Sequence, residues 1–413
     1  MARFVNGRAR QLGESLLLNH SAVQWPWFSS RGSSPTACLH RIAMAAEWRN
    51  ADLIDRLFLW LSGLSWPLRS LLLCASAVWR KGAAVASSRN RLLQMLDLIR
   101  LANRYNMPVN CYYRYRFFAK TPSRPELYLF PHHVRLFDLL YEDLKIGILD
   151  DKGRFEQECR RLGLPVAPVI AVFRDGHRER REEEGSHLPE KDLVIKFCNW
   201  SCGRGLEHWR YVGSDTWEDG QNRLAEAGVI AHCRALSFER PVVLQERLRN
   251  HDGIAHLAGN GLSTIRLVTY APPSGPTRIL FACVRMPSGT NLKDNFAAGG
   301  LAAPVDLATG ELGVAVKKEP PGEFREHPKT GGPIAGSVLP RWEEACALAL
   351  RAQECFSSVP FVGWDVVIGQ EGPILLEANP KWCLELAQIP HDRPLGDTSF
   401  VELLTQEFRT LGW

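Results

Sequence analysis

Residues Phe361–Trp382 read FVGWDVVIGQEGPILLEANPKW, and their pattern decides the fold. Two apolar runs, Phe361–Ile368 and Pro373–Leu376, flank a Gln-Glu-Gly turn, the pattern of a β-hairpin built from strong β-formers. Oxygen-bearing side chains interrupt it: Asp365 within the first strand, Glu377 and Asn379 at the end of the second. A spacing of two points Glu377 and Asn379 to the same face of a strand. An ionised carboxylate among Ile, Leu and Val costs free energy unless a cation compensates it. A hard divalent cation does so, since Mg²⁺ takes carboxylate and amide oxygens and keeps positions open for nucleotide phosphates. The pattern predicts a metal site; an edge strand with its acids in water is the plain alternative.

Around this hairpin lies a chain of 413 residues, enough for two or three folded units. Apolar residues at 45% and charged residues at 23% are those of an ordinary globular protein. A net charge of +5, with no Lys/Arg block on a predicted helix, does not point to nucleic acid and allows only a mild preference for anionic ligands. The 11 cysteines are odd in number and contain no CxxC pair, so they read as free thiols in a reducing, cytoplasmic compartment.

Residues 1–48 lack clear periodicity and do not show the order of a secretory signal; better patterning starts at Met44. Leu57–Trp79 is the most apolar stretch and approaches the length of a membrane span. Pro67 and Arg69 near its middle predict two short helices broken at Trp66-Pro67. These helices pack on the body, or touch a membrane at its cytoplasmic face, or, least favoured, span it. Arg89–Arg104 reads as a helix with Leu92, Leu93, Leu96 and Ile99 on its apolar side. Asp150-Asp151 caps a helix to about Leu162, and Pro165–Phe173 reads as a strand. The charge run Asp175–Lys191 is expected as a solvated loop at a domain boundary. Strands at Leu193–Phe197, Pro241–Gln245, Ser263–Tyr270 and Arg278–Arg285 follow, with a helix near Trp217–Ala227. A turn-rich section spans Pro287–Gly336, then a helix Pro340–Cys355, the hairpin, and a helix near Thr398–Leu411. Mixed strands and helices without strict alternation predict an α+β enzyme.

Several stretches carry candidate chemistry. Lys196, in the strand of LVIKFCNWSCGRG, is a phosphate ligand covered by the Ser201–Gly205 loop, or a lysine reaching past its neighbours to water. Neither GxxxxGK[ST] nor a GxGxxG between strand and helix occurs, which excludes a P-loop NTPase. Lys152 starts a helix, where a cation opposes the dipole and is not placed for stability. Val242–Leu248, VVLQERL, leaves Gln245 and Glu246 at a strand end able to read adenine and ribose. Thr264 and Arg266 share a strand face, and a guanidinium in a sheet needs a phosphate or carboxylate. In Lys293–Gly300, Asn295 precedes a Gly-Gly pair that suggests close backbone approach to a ligand. His327, in a basic loop, either binds substrate or, as the safer reading, is a lone surface histidine.

The order of these features is specific: helix-start Lys, strand Lys with a glycine-bearing loop, strand ending in Gln-Glu, strand Arg, N-x-x-x-G-G, strand Asp and Glu-x-Asn. From about Leu149 onward it resembles the ATP-grasp superfamily of carboxylate ligases. LKDNFAAGG, FVGWDVVIG and LLEANP are similar to segments of its glutamate-ligase-like branch, and STIR, VD–TG, HP–TG and GWD before EANP look closest to the ATP-grasp family associated with sugar transfer. The resemblance implies an ATP-grasp fold, two α+β subdomains gripping ATP, behind a helical N-terminal extension. It divides the chain into 1–90, a pre-ATP-grasp segment 91–175, a flap-bearing subdomain 176–250 and a metal-bearing subdomain 251–413. It implies ATP-phosphate contacts from Lys152, Lys196, Gly203, Arg204 and Gly205, an adenine–ribose hinge at Gln245, Glu246 and Leu248, and Mg²⁺ or Mn²⁺ on Asp365, Glu377 and Asn379. Arg266, Asn295 and Lys293 would face the transferring phosphoryl group. The Ser201–Gly205 flap departs from the pattern, with few glycines and bulky Trp200 beside it.

The implied reaction joins a small-molecule carboxylate to an amine through an acyl phosphate, in polysaccharide or secondary metabolism. Rivals are a kinase acting on a hydroxyl, a non-catalytic membrane-surface module, and a calcium-type structural site.

Overall fold

The computed structural model describes residues 32–49, 51–82, 85, 89–144, 146–179, 187–200, 205–259, 261–289 and 294–413. Gly203, Arg204 and Lys293, expected at the site, lie outside them. The described chain forms two compact units. One comprises residues up to Asp143 with Lys318–Gly322 and Cys383–Trp413; the other comprises Leu144–Lys317 and Glu323–Trp382.

The second unit carries two antiparallel sheets, each of seven strands. The first is built from β1 (Val169–Arg174), β2 (His177–Arg178), β3 (Leu193–Phe197), β4 (Glu207–Gly213), β5 (Thr216–Glu218), β6 (Arg223–Ala225) and β7 (Val242–Glu246), in the order β2-β1-β7-β3-β4-β5-β6. The second is built from β8 (Thr264–Tyr270), β9 (Arg278–Met286), β10 (Leu301–Pro304), β11 (Ala315–Lys317), β12 (Gly322–Phe324), β13 (Phe361–Ile368) and β14 (Pro373–Asn379), in the order β12-β11-β10-β9-β8-β13-β14. This is the expected α+β class. One face of the first sheet closes over Phe173, Ile195, Trp209, Trp217, Val229 and Leu244, all buried. The helix Lys152–Arg161 starts on the Asp151 cap, as predicted, and Phe155 stacks on Trp364 of β13.

The hairpin β13–β14 forms where the apolar pattern places it. Its register sets Asp365 opposite Glu377 and Gly363 opposite Asn379, with an irregularity immediately after Asp365. Bulges of this kind re-aim side chains near functional sites.

Several expectations are corrected. Leu53–Lys81 is one continuous helix through Pro67. Within it the Ser70 hydroxyl donates to the Pro67 carbonyl. Trp217 begins a β-hairpin and not a helix: Asp219 accepts from the Gln221 and Asn222 amides in a tight turn, and the helix starts later, at Glu226–Ser237. The strand expected from Pro165 starts at Val169, with only Val166 bridging earlier, to Leu375. The turn-rich section includes β10, β11 and β12. In the first unit the helix Arg91–Tyr105 buries Gln94, Leu98, Leu101 and Ala102 and leaves Leu92, Leu93 and Leu96 exposed, the reverse of the apolar side expected.

Candidate active site

The site follows from sheet register. Residues opposite one another across neighbouring strands share a face, and the pairings run Glu377 to Asp365, Asp365 to Arg266, and Arg266 to Cys283. Two residues along, on the same face, Thr264 lies opposite Arg285. One face of the second sheet therefore gathers two carboxylates, an amide and two guanidiniums. Gly363 contributes by lacking a side chain: a Cβ there would come within 3.0 Å of Arg266 Cδ and of Trp382 Cβ.

Asp365 is the centre of the cluster and fully buried. Arg266 donates to it in bidentate fashion, Nε to Oδ1 at 2.5 Å and Nη2 to Oδ2 at 3.1 Å. Arg285 Nη2 donates to Oδ2 at 2.7 Å, and Asn379 Nδ2 donates to the same oxygen at 3.3 Å. Burial pushes the Asp365 carboxyl up against the pull of Arg266 and Arg285. For Glu377 burial acts in the same upward direction, but Lys152, the hydrogen bond with Asp365, Lys196 and Arg285 outweigh it and hold the group well below the usual carboxylate range.

Two lysines approach these acids from other elements. Lys152, first residue of its helix, places Nζ 3.3 Å from Glu377 Oε2 and donates to the Trp200 carbonyl at 2.9 Å. Lys196 on β3 is buried; burial first, then repulsion from Lys152, lowers its ammonium from 10.5 to about 8, against the attraction of Glu377 and Asp365. The structure thus brings together Lys152, Lys196, Arg266, Asp365, Glu377 and Asn379.

The other expected residues that the structure describes fall outside this cluster. Gln245 is buried and donates to the Ala167 carbonyl at 3.4 Å, whereas Glu246 pairs with Lys191 at 2.8 Å. Leu248 is half-buried just beyond the end of β7. Asn295 caps a short turn, accepting from the Ala297 amide. The glycines after it answer to the chain itself, since a Cβ on Gly300 would strike the Asp294 carbonyl at 2.6 Å. Gly205 has φ +64, and a Cβ there would meet the Phe197 ring at 2.5 Å. His327 is buried and not at the surface: Nε2 meets the Pro287 carbonyl at 2.6 Å, and Nδ1 accepts from the Lys329 and Thr330 amides.

Sequence reasoning missed Arg285 and Asp294. Arg285 also donates to the Thr264 hydroxyl, which itself donates to Asp294, and lies 3.6 Å from Asp294. The signal was the one used for Arg266, a guanidinium inside an apolar strand, in ACVRM.

Among the described residues no group of three or more His, Cys, Asp or Glu side chains is arranged to hold a metal. The donor set here is two carboxylates and an amide oxygen. Its donor chemistry fits a hard cation, with two carboxylates paired directly across two strands beside an amide, and Lys152, Arg266 and Arg285 balance those acids here.

Two antiparallel sheets, with a buried lysine on an inner strand of one and an acidic strand pair on the other, are the arrangement expected of an ATP-grasp fold. Residues 132–400 match the model of the sugar-transfer-associated ATP-grasp family, and the chain belongs to that family. No curated protein matches it. Among solved structures it is similar to N5-carboxyaminoimidazole ribonucleotide synthetase, with 14% identity, 58% of this chain and 46% of that one covered, and a TM-score of 0.34. D-alanyl-alanine synthetase A from Vibrio cholerae matches with 11% identity over 64% of this chain and 65% of its own, TM-score 0.37. D-cycloserine synthetase matches with 14% identity over 64% and 71%, TM-score 0.35. The chain spans less than two thirds of the first two.

Proposed function

We propose that the protein is an ATP- and divalent-metal-dependent carboxylate–amine ligase that works through an acyl phosphate. The observation that carries this reading is the single connected cluster of Lys152, Lys196, Arg266, Arg285, Asp365, Glu377 and Asn379. Cations at this density suit an anion that gains charge during transfer, and preorganised donors act most strongly where water is excluded.

In this reading Lys152 and Lys196 hold the ATP phosphates. Lys152 would exchange its Glu377 and Trp200 partners for phosphate oxygens, whereas Lys196 is buried in its strand. Gln245, Glu246 and Leu248, at and just past the end of β7, line the adenine and ribose, and Gly203, Arg204 and Gly205 belong to the covering loop. Asp365, Glu377 and Asn379 hold Mg²⁺ or Mn²⁺, which when bound neutralises phosphate charge. Arg285, together with Arg266, orients Asp365 and faces the transferring phosphoryl group; Lys293 and Asn295 flank that position. The substrate carboxylate attacks the γ-phosphorus, ADP leaves, and an amine then displaces phosphate to form the amide. No side-chain nucleophile is needed. The subdomain division 176–250 and 251–413 is part of the same proposal, as is an amino acid or sugar-linked carboxylate as substrate.

Purified protein with Mg-ATP and pools of amino acids or sugar acids tests it. Phosphate and ADP released in dependence on one pool, with an amide product, is the expected result. AMP with pyrophosphate, or a phosphorylated hydroxyl without free phosphate, overturns it.

A further inference from the structure

Helix Leu53–Lys81 is amphipathic in an unusual sense: its apolar stripe faces out. Trp66, Ser70, Cys74, Ala77 and Val78 are buried on one side. On the other, Leu57, Trp60, Leu64, Leu68, Leu72 and Trp79 repeat at helical spacing, and all are exposed, Leu68 by 68% and Trp79 by 76%. The face continues onto the helix Arg91–Tyr105. The Arg91 guanidinium sits 5.7 Å over the Trp79 ring, and Leu92, Leu93 and Leu96 of that helix are exposed beside it. Soluble proteins rarely leave a contiguous apolar face of this kind uncovered, and such a face marks an interaction site.

Charge and composition select the occupant. Residues 53–105 hold eight Lys and Arg side chains against two acids. One of those acids, Asp97, is taken by Arg89 and Thr121. Arg80, Arg91, Arg100 and Arg104 are exposed. Trp60 and Trp79 lie 19 residues apart, about 28 Å along the axis. An apolar stripe with tryptophans toward both ends and a cationic rim is the form of a helix lying in a membrane interface. The helix is long and apolar enough to span a bilayer. Its opposite side, however, is buried in protein, and mid-helix Arg69 is engaged with Ser62 and Ser65. A spanning helix would need apolar surface all round.

We infer that the exposed face of Leu53–Lys81 and Arg91–Tyr105 docks onto an anionic lipid surface, the helix axis lying along it. Binding is hydrophobic through the leucines and electrostatic through the arginine rim.

The test is sedimentation of the full chain with extruded vesicles of phosphatidylcholine alone and of phosphatidylcholine with phosphatidylglycerol. Strong partition into the phosphatidylglycerol vesicles, weakened by salt, is expected. Leu64→Glu with Leu68→Glu should weaken partition into both vesicle types by tenfold or more. Arg80→Gln with Arg91→Gln should weaken it roughly fivefold per charge removed, on the anionic vesicles only. Because all four side chains are exposed, or nearly so, Mg-ATP affinity and circular dichroism should be unchanged; both serve as folding controls. The inference falls if wild type ignores both vesicles, if bound protein resists alkaline carbonate extraction as a spanning helix does, or if the leucine variants instead dissolve a self-associated form that binds no lipid.

Discussion

Asp365→Asn keeps the size of the side chain and removes its charge, so that the guanidiniums of Arg266 and Arg285 face a neutral amide. The side chains are 0% exposed for Asp365, 6% for Arg266 and 11% for Arg285, so water cannot take over. Removing one partner of a buried ion pair costs about 3–5 kcal/mol. Arg285 retains Asp294 and the Thr264 hydroxyl, which puts the expected loss at about 3 kcal/mol, the low end of that range. A unit of this size loses about 2–4 °C of Tm per kcal/mol, so its transition should fall by on the order of 10 °C. Urea and thermal unfolding followed by tryptophan fluorescence read this directly. A second variant, Asp365→Leu with Arg266→Met, removes both charges of the bidentate pair and should be less destabilised than Asp365→Asn, because the one guanidinium left, Arg285, keeps Asp294 and the Thr264 hydroxyl. Mg-ATP at about a hundred times its Kd stabilises wild type by roughly 2.7 kcal/mol; both variants should lose most of that gain. A loss below about 1 kcal/mol for Asp365→Asn, or a double variant no better than the single, refutes the pairing argument. Full retention of the Mg-ATP gain refutes the metal assignment.

Three further outcomes are expected. Lys196 carries its charge below about 8 and loses it above, so Mg-ATP affinity by calorimetry should weaken as pH rises past that point, and Lys196→Arg, charged throughout, should abolish the alkaline limb. The stability sign is opposite: the folded pKa lies below the unfolded 10.5, so the burial penalty is present below about 8 and is relieved as pH rises toward 10.5. Gly363→Ala puts a methyl 3.0 Å from Arg266 Cδ and from Trp382 Cβ; it should cost about 1–3 kcal/mol in urea unfolding and weaken Mg-ATP binding by displacing Arg266. His327→Ala strands the Pro287 carbonyl and the Lys329 and Thr330 amides, at about 1–3 kcal/mol by the same measurement, yet should leave Mg-ATP affinity unchanged.

The hairpin was legible because period-two alternation and strong β-formers agree along it, and its acids stood out against that background. What the chain could not show was register. Nothing local says that Asp365 faces Glu377 on one side and Arg266 on the other, or that an irregularity follows it. Arg285 was overlooked although it carries the same mark as Arg266, because Arg266 lay inside a recognisable motif and Arg285 did not. Trp217 misled because its neighbours Glu218 and Asp219 suit a helix start as well as a turn, and only the burial of the indole, donating to the Lys191 carbonyl, decides between them. Pro67 misled because a proline inside a helix either breaks it or bends it, and here the helix runs on through it. The outward-facing leucines of Arg91–Tyr105 could not be told from a core stripe, since spacing gives a face but not the neighbour it meets.

Register also explains how one sheet face can serve both a cation and a polyphosphate. The same row holds Glu377, Asp365 and Arg266, with Arg285 on the next rung, so this face sets two acids beside two bases, and Lys152 and Lys196 add positive charge from other elements. A metal ion alone meets the repulsion of Arg285 and Arg266; a polyphosphate alone meets that of Glu377 and Asp365. Brought in together, each would cancel the charge that opposes the other, and Lys152 would be free to turn from Glu377 toward the phosphates. Coupling of this kind is reciprocal and is worth about 1–3 kcal/mol in typical two-ligand sites. It gives the placing of two acids on β14 and β13 beside two bases on β8 and β9 a purpose that stability alone does not supply, since a buried pair of this sort is seldom more stable than the apolar residues that could replace it.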